Sequence, residues 1–313
     1  MAWILMQQVA VIFLLMGIGI VLRKKKVISI EAAGMVSNLV IIIVIPSVIV
    51  QAFQRDLEKE MLVVMATAFL LAVLFHIMAV IVTKWLPRAR DDNRYPVERL
   101  LAICSNCGFM GIPLMTAVMG DVGTLYAAIY VAAFNLYLWS HGVMILRKTK
   151  RISAKELFCT PGMIGVGVGV TLFFLQLRLP ALFTITLNYL AAMNTPLPTI
   201  ITGVFLADIS FTKALRDRHV YLATALRLLI LPILFIGLIW VMRVPEWFPE
   251  APMTALAMVI CSSCSGAITT AMMPARYGGD ASHGAALVAV STLFSILTIP
   301  FVATLAQWLF TFT

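Results

Sequence analysis

Cys104-Ser105-Asn106-Cys107-Gly108-Phe109-Met110-Gly111-Ile112-Pro113 interrupts an apolar segment long enough to cross a membrane. Two glycines and a proline within six residues, beside an Asn, break a helix unless neighbours take up the freed backbone groups. At membrane depth, non-helical backbone survives only where protein buries it or where it lines a cavity. The stretch therefore predicts a broken helix next to a binding site.

The chain around it is 62% hydrophobic and 12% charged, with a mean hydropathy of +1.01. A soluble domain carries about 25% charged residues, so this composition belongs to an integral membrane protein in a lipid bilayer. The net charge of +9 does not point to nucleic acid, because the basic residues stand in short clusters between apolar runs. The first run, Ile4 to Leu22, is followed rather than preceded by its positive charge (Arg23 to Lys26), unlike a signal peptide. Four of the five cysteines lie in apolar segments, which makes no disulfide framework.

Ten spans are expected, near 4–22, 32–53, 61–84, 97–120, 122–146, 158–177, 181–207, 220–242, 251–277 and 282–310. One set of alternate loops carries eighteen Lys and Arg, the other four. The positive-inside bias puts the first set in the cytoplasm and both termini on the outer side of the cell (inner) membrane.

The ten spans divide into an all-α pair of five-span repeats, 1–156 and 157–313. Cys104-Ser-Asn-Cys107 is matched 157 residues later by Cys261-Ser-Ser-Cys264, and Gly120-Asp121 is matched 159 residues later by Gly279-Asp280. An odd number of spans inverts the second copy, the plan of secondary transporters. Glu98 to Cys107 and Ile112 to Gly120 each cover roughly 15 Å, half of a hydrocarbon core about 30 Å thick. Spans four and nine are therefore expected to be broken at one depth and to cross there.

Such a crossing points two half-helix N-termini, each with unpaired N–H groups and partial positive charge, at one place, which suits an anion. The expected site holds Ser105, Asn106, Cys107, Gly108, Gly111 and Pro113 from the first break. From the second it holds Ser262, Ser263, Ser265, Gly266, Thr269 and Thr270, with Thr269 or Thr270 as helix cap. The carbonyl ends of the first halves suit Na⁺ or a proton-bearing group. Pro46, Ser47, His76, Asn135, Pro198 and Arg227 are secondary candidates. Glycines also serve close helix packing. Arg227 lies about six residues from the end of span eight, where snorkelling is the favoured reading, and His76 reads as a buried, hydrogen-bonded histidine. The two C-x-x-C pairs leave open a membrane-embedded redox or metal-binding protein; a ligand sensor on a carrier scaffold is a third reading.

Asn106-Cys-Gly-Phe-Met-Gly-Ile-Pro-Leu114 resembles the fourth-span signature of the auxin efflux carrier family, which includes plant PIN-FORMED proteins and bacterial malate or malonate permeases. Asn38 through Pro46-Ser47 and Pro274-Ala-Arg-Tyr277-Gly-Gly-Asp280 look like two further family stretches. The resemblance implies the bile-acid-symporter/PIN-like fold. Spans 1, 2, 6 and 7 would form a scaffold and homodimer interface, and spans 3–5 and 8–10 an elevator-type transport domain. Plant members place a proline at the second crossing, where this chain has Thr270. The expectation is a carrier of small organic anions such as dicarboxylates or auxin-like acids, with no enzymatic activity and no cofactor. The coupling ion, H⁺ or Na⁺, and the substrate stay open.

Overall fold

The computed structural model describes residues 2–56, 59–87, 93–149, 158–208, 214–277 and 279–311, and every regular element among them is a helix. Seven helices are long and apolar enough to cross a membrane: Met6–Lys24, Ile30–Ala52, Lys59–Trp85, Cys107–Arg147, Ala181–Leu206, Arg218–Val241 and Ala281–Phe310. Pro161–Phe174 and Ala251–Ser263 are shorter apolar helices. The chain is a multi-pass membrane protein. The boundary expected at 156/157, and the loop residues Arg88, Arg90, Lys150, Arg151, Lys155 and Lys213, lie outside the described residues.

Glycines and prolines divide the helices. Gly120 takes φ 61° and ψ −143° inside Ile112–Tyr137, which turns the chain between two helical stretches. Its sequence counterpart Gly279 also has a positive φ, 126°. Three prolines each follow a π-helical turn that ends two residues before them: Val40–Val44 before Pro46, Cys107–Gly111 before Pro113 and Leu226–Ile230 before Pro232. A proline supplies no N–H and its ring crowds the carbonyl four residues back. Widening the turn relieves both, because bonds such as Ile45 N–H to Val40 O and Ile112 N–H to Cys107 O reach back five residues.

The helices pack closely where side chains are smallest. Ala2–Lys24 runs against Pro196–Leu206, and Gly19 and Gly203 let the backbones touch. A Cβ on Gly203 would lie 2.0 Å from the Met16 carbonyl oxygen, and one on Gly19 would lie 2.0 Å from that of Ile200.

Ion pairs tie distant loops together. Arg23 pairs with Asp208. Arg94 reaches Asp280 at 3.0 Å and Asp217 at 3.4 Å. Elsewhere Arg178 pairs with Asp56, and Arg55 donates to the Asp121 carbonyl.

Candidate functional site

The helix Tyr95–Ile103 ends where Cys104 becomes extended (φ −84°, ψ 105°). Helical structure resumes at Cys107. The helix Ala251–Ser263 ends at Cys264 (φ −58°, ψ 156°), and the next begins at Thr269. The two non-helical stretches pair in an antiparallel bridge between Ser105 and Gly266. The Asn106 N–H donates to Ser265 O at 2.8 Å, and the Ala267 N–H donates to Cys104 O at 2.9 Å. Each stretch thus supplies the partner the other lacks. The Asn106 carbonyl accepts from Met110 and Gly111 N–H, closing the wide first turn of the following helix. Gly266 is pressed into the pair: its N–H donates to Ser291 Oγ at 3.1 Å, and a Cβ there would lie 2.1 Å from Leu101 Cδ1.

A cavity opens beside this pair. Ser105, Asn106, Gly108 and Phe109 line it from the first break, Ala267, Ile268 and Thr269 from the second. Asn135 also lines it, its amide anchored by a 2.9 Å bond from Nδ2 to Val131 O. None of the lining residues carries a formal charge. The first N–H groups of a helix have no partner within it, and those of the Cys107–Gly111 turn begin at this wall. The Ser37 and Thr269 hydroxyls are buried without a hydrogen-bond partner among the described residues. The cavity therefore combines helix N-terminal donors, two amides and free hydroxyls within an otherwise apolar wall that includes Phe134 and Trp139.

The remaining expected residues lie elsewhere. Cys107, Gly111, Ser262, Ser263, Ser265, Gly266 and Thr270 are packed around the pair rather than along the cavity. Ser262 and Ser263 donate to carbonyls of their own helix, Val259 O and Ile260 O. Ser265 Oγ contacts Met110 Sδ. Pro113 lines a second, more polar cavity with Arg55, Thr116, Thr124, Asn188 and Asn194. The expected cap is corrected: neither the Thr269 nor the Thr270 hydroxyl has a hydrogen-bond partner among the described residues. Pro46 packs under Gly165, Ser47 donates to Ile43 O, and Pro198 O accepts from Thr202. His76 is buried, with Nδ1 2.7 Å from Ala72 O, among Phe75, Tyr130, Phe134 and Tyr137.

Arg227 overturns its sequence reading. It does not snorkel; it is 0% exposed. Its guanidinium donates to Ala102 O at 3.1 Å, Ile103 O at 3.0 Å and Cys264 O at 3.2 Å. Phe75 lies under it, 5.5 Å from ring centroid to guanidinium carbon. These carbonyls close the two helices that end at the pair and were the ones expected to suit Na⁺. A permanent cation of the protein takes them instead, at the negative ends of two helix dipoles.

Sequence reasoning missed Ser37, Trp139 and Thr160 in the cavity wall. Ser37 had a pointer in its neighbour Asn38, but Asn38 itself is exposed. All four cysteines of the C-x-x-C pairs are free and fully buried. Among the described residues no group of three or more His, Cys, Asp or Glu is placed to hold a metal ion.

Comparison with known proteins points to membrane transport. The chain is 23% identical over 308 residues to an uncharacterized transporter of Methanocaldococcus jannaschii, covering 94% of this chain and 96% of that one. The family described as Membrane transport protein matches residues 4–156 and again 145–303. The chain belongs to this family of membrane transport proteins, the auxin efflux carrier family.

Proposed function

We propose that the chain is a secondary carrier of small organic anions, carboxylates above all, and that it works by elevator-type alternating access. The observation that carries this is the uncharged, hydrogen-bonding cavity at the paired breaks. A helix N-terminus and neutral amides hold a carboxylate without the desolvation that a fixed lysine or arginine would add. In this reading the chain has ten spans, with the two breaks as crossing spans four and nine of inverted halves 1–156 and 157–313. Spans 1, 2, 6 and 7 form the scaffold of a homodimer, and both termini face outward from the inner membrane. The ion pairs support the alternation. Arg23 with Asp208, and Arg94 with Asp217 and Asp280, join loops that this plan puts on one side. Arg178 with Asp56, and Arg55 with Asp121 O, join loops on the other. Arg227 already fills the carbonyl ends, and we assign no sodium ion there.

Anion uptake into proteoliposomes tests the site. A hydrogen bond to a charged group is worth about 1.5–3 kcal/mol, so Asn106→Ala should weaken apparent affinity roughly ten- to hundredfold. Pro113→Ala should be milder, because Pro113 faces the other cavity. Undiminished uptake by Asn106→Ala would sink the assignment.

Replacing Cys104, Cys107, Cys261 and Cys264 together by Ser separates the carrier from a thiol-based redox or metal protein. All four thiols are buried away from the cavity wall, so at least about half the wild-type uptake rate should remain where the fold is kept. Abolished uptake in a folded quadruple variant would favour the thiol reading.

A further inference from the structure

Charge is concentrated at one place that the carrier reading does not use. Glu98, on the first turn of Tyr95–Ile103, is 0% exposed. Its Oε1 lies 3.1 Å from His283 Nε2, and its Oε2 lies 3.6 Å from His219 Nδ1. His283 is itself buried, and its Nδ1 lies 4.0 Å from Asp217 Oδ2. Arg94 joins Asp217 to Asp280, and Asp280 Oδ1 accepts from the His283 N–H at 2.9 Å. The network closes on itself and ties the starts of three helices, Tyr95–Ile103, Arg218–Ala225 and Ala281–Thr311.

The charges in it do not balance without protons. Burial alone would raise the Asp280 carboxyl, but the His283 N–H and the Arg94 guanidinium outweigh it and hold it below the usual carboxylate range. With all three carboxylates ionised, Arg94 compensates one of them. Two negative charges then remain while both imidazoles are neutral. Among the described residues, the other cations of the surrounding elements are engaged or turned away. Arg99 contacts the Val80 carbonyl and the Tyr95 ring, Arg218 is exposed, and Arg227 holds the far end. Lys84, on the neighbouring 3₁₀ turn, is exposed. Arg147 lies over Tyr277. Histidine is the side chain whose charge changes between about pH 5 and 8, and the fully buried Glu98 has an imidazole beside each of its oxygens.

We infer that Glu98, His219 and His283 form a proton-binding site, and that anion transport by this chain is linked to the filling of that site. The protons come from the water that the three loops face, and they settle on the imidazole nitrogens turned toward Glu98 and Asp217. The linkage has a mechanical route. Glu98 lies on the helix Tyr95–Ile103, Cys104 follows its end six residues on, about 9 Å away, and Cys104 O holds Ala267 across the paired breaks. A balanced cluster lets this helix move without dragging uncompensated charge past apolar neighbours. The linkage rests on the carrier reading; the proton site does not.

The sign follows from the balance. Proton loss leaves the fully buried Glu98 carboxylate without a counter-charge in the folded protein, so the stabilisation is present on the acid side and is lost as pH rises. The full chain in detergent, without substrate, should unfold several degrees lower at about pH 8 than at about pH 6. His219→Gln and His283→Gln should each flatten that difference, since Gln takes up no proton. A wild-type unfolding temperature that does not change over this range overturns the site, whatever the variants do. So does a folded pair of variants that keeps the wild-type profile. Uptake of labelled succinate and acetate into proteoliposomes reads the linkage. The wild-type rate should rise about threefold or more from pH 8 to pH 6 with internal pH matched, and the double variant should lose that rise. A rate indifferent to pH overturns the linkage. Absence of uptake of any anion overturns the carrier reading and the linkage with it, while the unfolding profile still decides the proton site.

Discussion

Arg227→Met is expected to lower the thermal unfolding temperature by many degrees and to abolish anion uptake. The guanidinium is the donor for Ala102 O, Ile103 O and Cys264 O in a fully buried place. Methionine fills part of the volume and donates nothing. Taking one partner out of a buried charged arrangement costs about 3–5 kcal/mol, because the other partner stays buried and unpaired. The opposing gain is the desolvation no longer suffered by the cation. Here it does not win, because two helix C-termini with like partial charge are left facing each other in a medium of low dielectric. Arg227→Lys separates charge from geometry. It keeps the positive charge but loses the planar fork that reaches three carbonyls, so it should recover only part of the loss. An Arg227→Met protein with wild-type unfolding temperature would show that these bonds do not hold the breaks together.

Gly203→Ala is expected to destabilise by about 1–3 kcal/mol or more, the cost of overpacking a well-packed contact. The added carbon would lie 2.0 Å from Met16 O and 2.7 Å from Met16 C. Both are backbone atoms that cannot rotate away, so the Ala2–Lys24 and Pro196–Leu206 helices must separate along their length. Gly17→Ala is the matched control on the same first helix. Nothing lies within 4 Å of a Cβ at Gly17, and alanine favours a helix over glycine by about 1 kcal/mol. The control should be neutral or slightly stabilising. Equal unfolding temperatures for the two variants in detergent would show that the helices have slack at this contact.

The outline was legible because it depends on local signals. Apolar run lengths need no knowledge of contacts. Gly108, Gly111 and Pro113 announce a break through the conformations they allow and forbid. The offset between the two C-x-x-C pairs located the second break, and Asn106, Asn135 and Thr269 all reach the cavity. Arg227 was misread because distance from the end of a span suggests snorkelling, while its partners stand far off in the sequence, Ala102 and Ile103 more than a hundred residues before it and Cys264 37 residues after it. Ser262 and Ser263 looked like site hydroxyls, yet a serine within a helix readily bonds back to its own turn, as both do. The Glu98 cluster was invisible for the same reason as Arg227. Glu98 and His283 are 185 residues apart, and each alone looks like an ordinary polar residue at a helix start.

The bridge between Ser105 and Gly266 also constrains how the protein is made. Synthesis runs from the N-terminus at about 5–20 residues per second, and the two bridged positions are 161 residues apart. Until the later stretch emerges, Cys104 O and Asn106 N–H lack the partners they hold in the finished fold. In hydrocarbon each unsatisfied group costs several kcal/mol. The first half cannot reach its final depth and shape alone. It has to wait in a wetter or shallower setting, or against the insertion machinery, until the last third of the chain arrives to complete it.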